Sequence, residues 1–429
     1  MKKKAITALL LLFALSLLSA KVTTIADPDS PTGYTSTFVY KDEAATDVRL
    51  VGSFMFYKDN DYHLFANGAL LSSEDSMANY QVYPEDWSRE ADLRHFGDEG
   101  YSKAMRKTVE GWTLSLQLPC ASYMYFFSVS YDGGETWNVV SDPDNLPPQN
   151  AWSMNPQYRS QFFVPYDAVK QNAADDWTWL MPLEDESLRG TVEYKEYEGI
   201  NGEARPAQVY LPAGYDAERE TPYKVLYMSH GTGGFEGDWF HQGNVPNIAD
   251  RVFALGKNEP FIIVAMENNG LIDPSNFPIY DLIHEDMVDC LIPMIEESYN
   301  VVKDASGRAF SGLSRGGMIT GMLLLNNPED FAYFAPLSGG AAYALTEETD
   351  IEAVKKADIY LGAGFVDFVM FSYNMRGKGE ISTRGFAKAL DAAGVSYNND
   401  SSYVIVPGAH DWFTWPELVK DYFENYLWK

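Results

Sequence analysis

The pattern of apolar residues changes near residue 175, and this change limits the folds open to the chain more than any other feature. Before it, short alternating or aromatic segments such as DVRLVGSFMFY, WTLSLQLP and YMYFFSVSY are separated by turn sequences such as DGGETW and DPDNLPP. Such segments predict the short strands of an all-β sandwich. After it, apolar runs alternate with longer helical stretches. The sequence therefore predicts two domains of different class.

The second part of the chain predicts an α/β domain. YKVLYMS and FIIVAME are short, uninterrupted apolar runs, which are typical of parallel strands covered on both faces. TVEYKEY and PAQVYLP predict a hairpin that precedes them. The segment DLIHEDMVDCLIPMIEESY has its apolar residues at helical spacing, so it predicts a helix that covers the sheet. Ligands of such sheets bind at the carboxyl ends of the strands.

The predicted boundaries follow from these patterns. Residues 1–20 contain three lysines, a short apolar stretch and small residues near Ala20, which predicts a cleaved signal peptide and a secreted product, periplasmic or extracellular. A membrane anchor is the alternative for this segment. The sandwich is predicted over 21–166, an acidic irregular linker over 167–189, and the α/β domain over 190–429.

The charge and the cysteine content limit the binding partners, disulfides and metal sites that we expect. The chain has 32 basic and 61 acidic residues, a net charge of −29, and removal of the signal lysines makes it more negative. Such a surface repels nucleic acid and anionic lipid, so neither is expected as a partner. Cys120 and Cys290 fall in different predicted domains, so we expect buried thiols rather than a disulfide or a metal site. The oligomeric state is left open.

The segment RAFSGLSRGGM places Ser314 between a predicted strand and the helix-compatible MITGMLLLNN. A serine in a sharp turn between strand and helix is the nucleophile elbow of α/β-hydrolases. In that turn the residues two before and two after the serine approach closely, which explains Gly312 and Gly316. The helix N-terminus favours developing negative charge. The alternative is a serine that caps an ordinary helix.

A serine nucleophile needs a base, and the base needs an orienting carboxylate. His410 is the one histidine of six that follows Ser314, and it comes directly after the strand-like SYVIVPG. We expect Asp367 as the acid, because LGAGFVDF places it just beyond the preceding strand. Three other carboxylates compete for this role: Asp358, Glu380 and Asp411.

The oxyanion of an acyl-transfer intermediate needs two N–H donors. The residue after the nucleophile, Arg315, supplies one backbone N–H. Thr232 is the expected second donor, because it lies in the glycine-rich YMSHGTGG that follows a buried strand. The alternative for this segment is a tight connection without a catalytic role.

The segments SHGTGGFEGDWF, FSGLSRGGM, LGAGFVDF and PGAHDWFTW resemble carbohydrate esterase family 1, the α/β-hydrolases that include feruloyl and acetylxylan esterases. The resemblance implies a triad of Ser314, Asp367 and His410, with oxyanion donors at Thr232 and Arg315. It implies no metal and no organic cofactor.

The first part of the chain, with VRLVGSF, YMYFFSVSYDG and SDPDN, resembles the immunoglobulin-like module called carbohydrate-binding family 48. The resemblance implies a sandwich that precedes the esterase domain. Four tryptophans are candidates either for stacking on sugar rings or for core packing: Trp87, Trp112, Trp137 and Trp152.

The predicted function is a secreted serine esterase that acts on ester substituents of plant cell-wall polysaccharide. Aromatic residues near the motifs favour a flat phenolic acyl group, so ferulate on arabinoxylan is the expected substrate. The expected substrate-binding residues are Trp239, Phe240, Phe365, Phe368, Trp412 and Trp415. The alternatives are an esterase for acetylated xylan or another small ester, and an inactive glycan-binding protein.

Overall fold

The computed structural model describes residues 19–58, 81–97, 100–148, 158–271, 281–371, 380–399 and 402–429. The strands of the first part are β1 (Ser19–Ala26), β2 (Tyr34–Lys41), β3 (Asp47–Gly52), β4 (Met55–Lys58), β5 (Leu93–Phe96), β6 (Tyr101–Ala104), β7 (Arg106–Thr108), β8 (Gly111–Leu116), β9 (Ala121–Ser130), β10 (Asn138–Val140) and β11 (Ser160–Val164).

These strands form two facing antiparallel sheets. One sheet has the order β1-β2-β8-β7, and the other has the order β10-β9-β3-β6 with β11 also paired to β9. Alternate residues of β2 point inward, and Phe38 packs edge-to-face on Phe162 with ring centroids 5.2 Å apart. β4 and β5 form a separate two-stranded antiparallel sheet. The predicted sandwich architecture is confirmed.

The second part is built on a larger mixed sheet. Its strands are β12 (Thr191–Glu198), β13 (Ala204–Leu211), β14 (Val225–Ser229), β15 (Ile262–Met266), β16 (Arg308–Leu313), β17 (Tyr333–Leu337), β18 (Asp358–Ile359), β19 (Gly362–Gly364) and β20 (Val404–Val406). The order is β12-β13-β15-β14-β16-β17-β19-β20, and β18 also pairs with β17. The predicted hairpin is β12 with β13, and β14 to β20 run parallel. Every residue of β14 and β15 is buried, which explains their uninterrupted apolar sequences.

The helices are α1 (Asp238–His241), α2 (Val245–Ala254), α3 (Asp281–Asp286), α4 (Ile292–Ser298), α5 (Arg315–Asn326), α6 (Ile351–Val354), α7 (Phe368–Phe371), α8 (Thr383–Ala393) and α9 (Thr414–Asn425). A π-helical turn over Met287–Leu291 joins α3 to α4. The apolar stripe predicted here is buried at Ile283, Met287, Leu291 and Ile295, while Cys290 is only half-buried. The predicted α/β-hydrolase fold is confirmed.

The two parts share one apolar core. The cluster that contains Phe38 of the sandwich also contains Trp239 and, in α9, Phe423. Residues 167–189, predicted as a linker, form short 3₁₀ turns and bury Trp177 and Leu180 between the two parts. The sandwich therefore packs directly on the α/β domain.

Two sequence predictions fall wholly or mostly on residues that are not described. Residues 1–18 of the predicted signal peptide lie outside the described residues, as does Trp152. Within the described ranges, no helix is both long enough and apolar enough to cross a membrane. Cys120 and Cys290 are free thiols.

Candidate active site

Ser314 occupies the turn between β16 and α5 in a conformation that non-glycine residues rarely adopt. Its φ is 54° and its ψ is −114°, a strained combination of the kind that concentrates at functional sites. The backbone around it holds this strain, because the Ser314 N–H donates to the Leu337 carbonyl at 3.0 Å and the Ser314 carbonyl accepts from the Met318 N–H at 2.9 Å. The hydroxyl thus projects from a fixed position at the N-terminus of α5.

The two glycines flanking Ser314 have no room for a side chain. A Cβ at Gly312 would lie 2.5 Å from the carbonyl carbon of Gly316. A Cβ at Gly316 would lie 2.3 Å from the carbonyl oxygen of Ser229, at the end of β14. The elbow therefore closes against the neighbouring strand only with glycine at both positions.

His410 and Asp367 meet at the carboxyl ends of β19 and β20. The ring Nδ1 of His410 lies 3.0 Å from Oδ1 and 3.1 Å from Oδ2 of Asp367. Asp367 is buried, and its Oδ1 also accepts from the Val369 N–H at 2.8 Å, which fixes the carboxylate. Because Nδ1 donates to the acid, Nε2 is the nitrogen that faces away from it, as a general base requires.

The competing carboxylates have other partners. Glu380 accepts from the Ser382 N–H ahead of α8, and Asp358 lies at the start of β18, the end of the strand opposite to the site. Asp411 accepts backbone N–H groups from Gly97, Phe413 and Thr414. Asp367 is the member of this set that contacts the His410 ring.

The loop after β14 lies beside the elbow. Thr232 is exposed on this loop, and a Cβ at Gly231 would lie 3.5 Å from the Cβ of Ser314. Arg315, the first residue of α5, carries the other predicted oxyanion N–H. Gly231, the residue before Thr232, and Arg315, the residue after the nucleophile, therefore both adjoin Ser314.

A polar network that sequence reasoning missed ties the elbow to this loop. The Arg315 guanidinium donates through Nη2 to the side-chain oxygens of Asn268 and, at 2.8 Å, Asn269. The Asn268 amide donates to the His230 carbonyl at 2.8 Å, and the Asn269 amide donates to the Gly234 carbonyl at 2.8 Å. The signal was present in the sequence, because the polar run ENN follows β15 directly, beside the loop after β14.

A second histidine–carboxylate pair lies beneath this network. His230 Nε2 is 2.8 Å from Oε1 of Glu267, and both side chains are fully buried. The nearby Asp238 is also buried, and burial raises the pKa of its carboxyl to about 6, although the neighbouring His230 works against this shift. This part of the site is a buried polar layer under the loop.

A cleft of about 850 Å³ opens between the two parts of the chain. The α/β side contributes the loop at 231–234, Leu313 and His410 with the residues that follow it. The sandwich side contributes Ser53, Gly97, Ser122, Met124 and Val139, followed by Tyr158 and Arg159 just before β11. No local sequence pattern predicts this second wall.

The aromatic residues predicted to bind substrate divide into two groups. Trp412 and Trp415 line the cleft, and the Phe368 ring lies 4.6 Å from the His410 ring with 47% of the residue exposed. The prediction that Trp239 binds substrate is wrong, because Trp239 is fully buried and its indole N–H donates to the Ser229 carbonyl at 3.0 Å. Phe240 and Phe365 are partly buried and pack against the apolar core. Neither is among the described residues that line the cleft.

The candidate sugar-stacking tryptophans of the sandwich are mostly core residues. Trp87 and Trp112 are buried in the apolar cluster, whereas Trp137 is 40% exposed. Across the described ranges, no group of three or more His, Cys, Asp or Glu residues is arranged to hold a metal ion.

Known proteins match this chain over one or both parts. The family described as "Putative esterase" matches residues 199–423. The chain is 28% identical over 325 residues to an endo-1,4-beta-xylanase/feruloyl esterase of Xylanibacter ruminicola, which covers 74% of this chain and 40% of that protein. It is 26% identical over 275 residues to endo-1,4-beta-xylanase Y of Acetivibrio thermocellus. That alignment covers 59% of this chain and 24% of the relative. The chain therefore spans less than half the length of these two relatives.

The chain also resembles a solved structure over almost its whole length. The enterobactin esterase of Shigella flexneri aligns with a TM-score of 0.52 and 13% identity, covering 95% of this chain and 96% of that one. At this identity the likeness concerns the fold alone. It indicates that the order of a β-sandwich followed by an α/β domain is shared.

Proposed function

Because this chain belongs to the esterase family that matches residues 199–423, we propose that it hydrolyses carboxylic esters by acyl transfer through Ser314. The resemblance to carbohydrate esterase family 1 is confirmed by this match and by the xylanase/feruloyl esterase relative. The assignment of the sandwich to carbohydrate-binding family 48 stays a prediction.

The first step of the proposed reaction forms an acyl-enzyme. His410 Nε2 takes the proton of the Ser314 hydroxyl as its oxygen attacks the ester carbonyl carbon. The negative charge that develops on the carbonyl oxygen is stabilised by the N–H groups of Thr232 and Arg315. Asp367 holds the imidazole by Nδ1–H and stabilises its positive charge. The C–O bond to the alcohol then breaks, and His410 returns the proton to the leaving oxygen.

The second step releases the acid. His410 takes a proton from a water molecule, whose oxygen attacks the acyl carbon, and the bond to Ser314 breaks as the serine regains a proton. The observation that carries this proposal is the His410–Asp367 hydrogen bond at the edge of a cleft that is also lined by Leu313, the residue before the strained Ser314. The proposed reaction uses these side chains, the two backbone N–H groups and water.

We propose feruloylated arabinoxylan and its oligosaccharides as the substrate. Trp412 lines the same cleft as His410, and the Phe368 ring, 47% exposed, lies 4.6 Å from the His410 ring, so both offer aromatic surface to a planar phenolic acyl group. Trp415 is 6% exposed and packs edge-to-face on the His410 ring. The name of the Xylanibacter ruminicola relative, which includes feruloyl esterase, supports the same choice. The runner-up is acetylated xylan or another small ester, which uses the same chemistry without the aromatic contacts.

The proposed function also includes secretion, through cleavage of residues 1–20. Expression of the full chain in a bacterial host with intact export, followed by N-terminal sequencing of the exported product, tests this part. A product that begins near Lys21 supports secretion, and retention of Met1 in the cell membrane fraction supports the anchor instead.

A substrate panel tests the enzymatic part. Wild type and Ser314→Ala are compared for release of ferulate from wheat arabinoxylan, release of acetate from acetylxylan, and turnover of p-nitrophenyl acetate. We expect ferulate release to exceed acetate release, and Ser314→Ala to lower every rate by at least about 10³-fold. If ferulate release stays at background while acetate release is rapid, the acyl group of the substrate is acetate and not ferulate. Binding of xylooligosaccharides without any turnover would instead indicate an inactive glycan-binding protein.

A further inference from the structure

The loop that carries His410 is attached to the β-sandwich as well as to the α/β sheet. The backbone N–H of Gly97, directly after β5, donates to Oδ2 of Asp411 at 2.8 Å. These residues are 314 positions apart in the chain. The hydrogen bond therefore joins the sandwich to the residue that directly follows His410.

Asp411 also organises its own loop. Its Oδ1 accepts from the N–H groups of Phe413 at 2.9 Å and Thr414 at 3.2 Å, at the start of α9. The two oxygens thus have separate tasks, since Oδ1 shapes the turn into α9 and Oδ2 reaches the sandwich. Burial raises the pKa of this carboxyl to about 6, and the three donated N–H groups oppose that shift.

The contact at Gly97 is too close for any side chain. A Cβ at this position would lie 2.5 Å from the Cβ and 2.7 Å from the Cγ of Asp411. Such distances are well inside van der Waals contact, so either the sandwich or the histidine loop would have to move. Gly97 is not among the glycines with positive φ, so its requirement here is one of space.

An aromatic contact beside this hydrogen bond fixes the same loop. The His95 ring of β5 stacks on the Phe413 ring, with centroids 4.8 Å apart and planes 11° from parallel. Trp177 of the linker packs on Phe413 edge-to-face at 5.6 Å. Burial lowers the pKa of His95 to about 3, so the ring is neutral under ordinary conditions and serves as a packing surface.

We propose that Gly97 and Asp411 are positioning residues for the catalytic step, through which the sandwich holds His410 in place to serve Ser314. The proposal rests on the proposed esterase function and extends it, because it makes the sandwich part of the machinery for hydrolysis of every ester. A shift of about 1 Å in a catalytic group can cost about 100-fold in rate. The clamp formed by Gly97, His95, Asp411 and Phe413 acts one residue from His410.

Two substitutions break the clamp from opposite sides. Gly97→Ala inserts a methyl group against Asp411 from the sandwich. Asp411→Asn keeps Oδ1 for the turn into α9 but places an NH₂ group opposite the Gly97 N–H, so two donors face each other. We expect each variant to lower kcat on p-nitrophenyl acetate by about 10- to 100-fold. We expect KM to change by less than about threefold, because this small ester makes few contacts with the cleft.

A matched control separates positioning from stability. Gly133 lies in a turn of the sandwich at φ +77°, and a Cβ there would meet no atom within 4 Å. Gly133→Ala therefore strains the sandwich without reaching the hydrolase domain. It should lower the melting temperature while kcat stays within about twofold of wild type.

The kinetic comparison uses the full chain, with wild type, Ser314→Ala, the two clamp variants, their double variant and Gly133→Ala measured together. A kcat loss in both clamp variants, with a double variant less impaired than the product of the two losses, supports the clamp. Should Gly97→Ala fail to fold, Asp411→Asn gives the same test. Wild-type kcat in folded Asp411→Asn overturns the positioning role while leaving the esterase function intact. A wild type that cleaves no ester overturns the esterase function and the clamp with it.

Discussion

The α/β domain contains two histidine–carboxylate pairs that look alike in distance and differ in surroundings. His410 and Asp367 lie 3.0 Å apart, and the His410 side chain is 16% exposed at the cleft. His230 and Glu267 lie 2.8 Å apart, and neither side chain is exposed at all. Both pairs follow parallel strands at the same edge of the sheet.

The second ring nitrogen decides what such a pair can do. His230 uses both nitrogens within the protein, because Nδ1 is 2.8 Å from the Gly231 carbonyl and Nε2 is 2.8 Å from Oε1 of Glu267 and 3.2 Å from the Asn268 backbone nitrogen. In His410 the acid occupies Nδ1, and the ring borders the cleft where a substrate would lie. We therefore propose that His410 transfers the proton and that His230 supports the loop.

The largest effect should come from His410→Asn. Removing the base should lower kcat by about 10⁴-fold or more while the free energy of unfolding changes by less than about 1 kcal/mol, since the ring lies at the cleft edge. Steady-state kinetics and a urea titration measure the two quantities. If kcat stayed within tenfold of wild type, proton transfer would have to be reassigned to another group.

Asp367→Asn should follow closely. An amide at this position donates as well as accepts, so it no longer selects the Nδ1–H tautomer, and kcat should fall by about 10³- to 10⁴-fold. Asp358→Asn is the matched control, because Asp358 lies at the other end of its strand, and it should leave kcat unchanged. Equal losses in the two variants would contradict the assigned acid.

His230→Ala should destabilise the fold and leave kcat nearly unchanged, the opposite of the result expected for His410→Asn. It leaves the Glu267 carboxylate buried without its ring partner, which should destabilise the fold by about 3–5 kcal/mol. The folded fraction should keep kcat within about tenfold of wild type, because the ring does not border the cleft. Denaturant midpoints and kinetics at low temperature would show this. A stable variant with kcat reduced as far as in His410→Asn would make the two pairs equivalent.

Asn269→Ala should have the smallest effect and would show how far the buried layer supports the reaction. It removes one partner of the Arg315 guanidinium and one hydrogen bond to the Gly234 carbonyl. Looser oxyanion N–H groups should lower kcat by about tenfold with little change in KM. Asn247→Ala, which loses a hydrogen bond to the Leu180 carbonyl far from the elbow, is the control. A similar kcat in both variants would remove the buried layer from the mechanism.

Local sequence patterns foretold the elbow and the pairing of His410 with Asp367. The strand, the two glycines and the helix lie in one continuous segment, and the position of an acid after a strand follows from the parallel topology. The direction in which a side chain points depends instead on how distant segments pack together. Trp239 follows the glycine-rich loop after β14 closely in sequence, but it lies in the short helix α1 and its side chain is fully buried.

Contacts between distant segments were beyond sequence reasoning. The sandwich wall of the cleft depends on how two domains dock, and nothing near Gly97 indicates that its N–H meets Asp411. The His230–Glu267 pair was similarly hidden, since its members follow different strands. The polar residues after β14 and β15 were visible, but their pairing depends on the neighbouring positions of those strands in the sheet.

Trapping the acyl-enzyme tests whether Ser314 is the nucleophile. Wild type is mixed with p-nitrophenyl ferulate, quenched with acid within the first turnover, digested and mapped by mass spectrometry beside Ser314→Ala. We predict a feruloyl adduct on Ser314 in wild type and none in the variant. Ferulate release by wild type without an adduct, together with undiminished release by Ser314→Ala, would show that Ser314 is not the nucleophile.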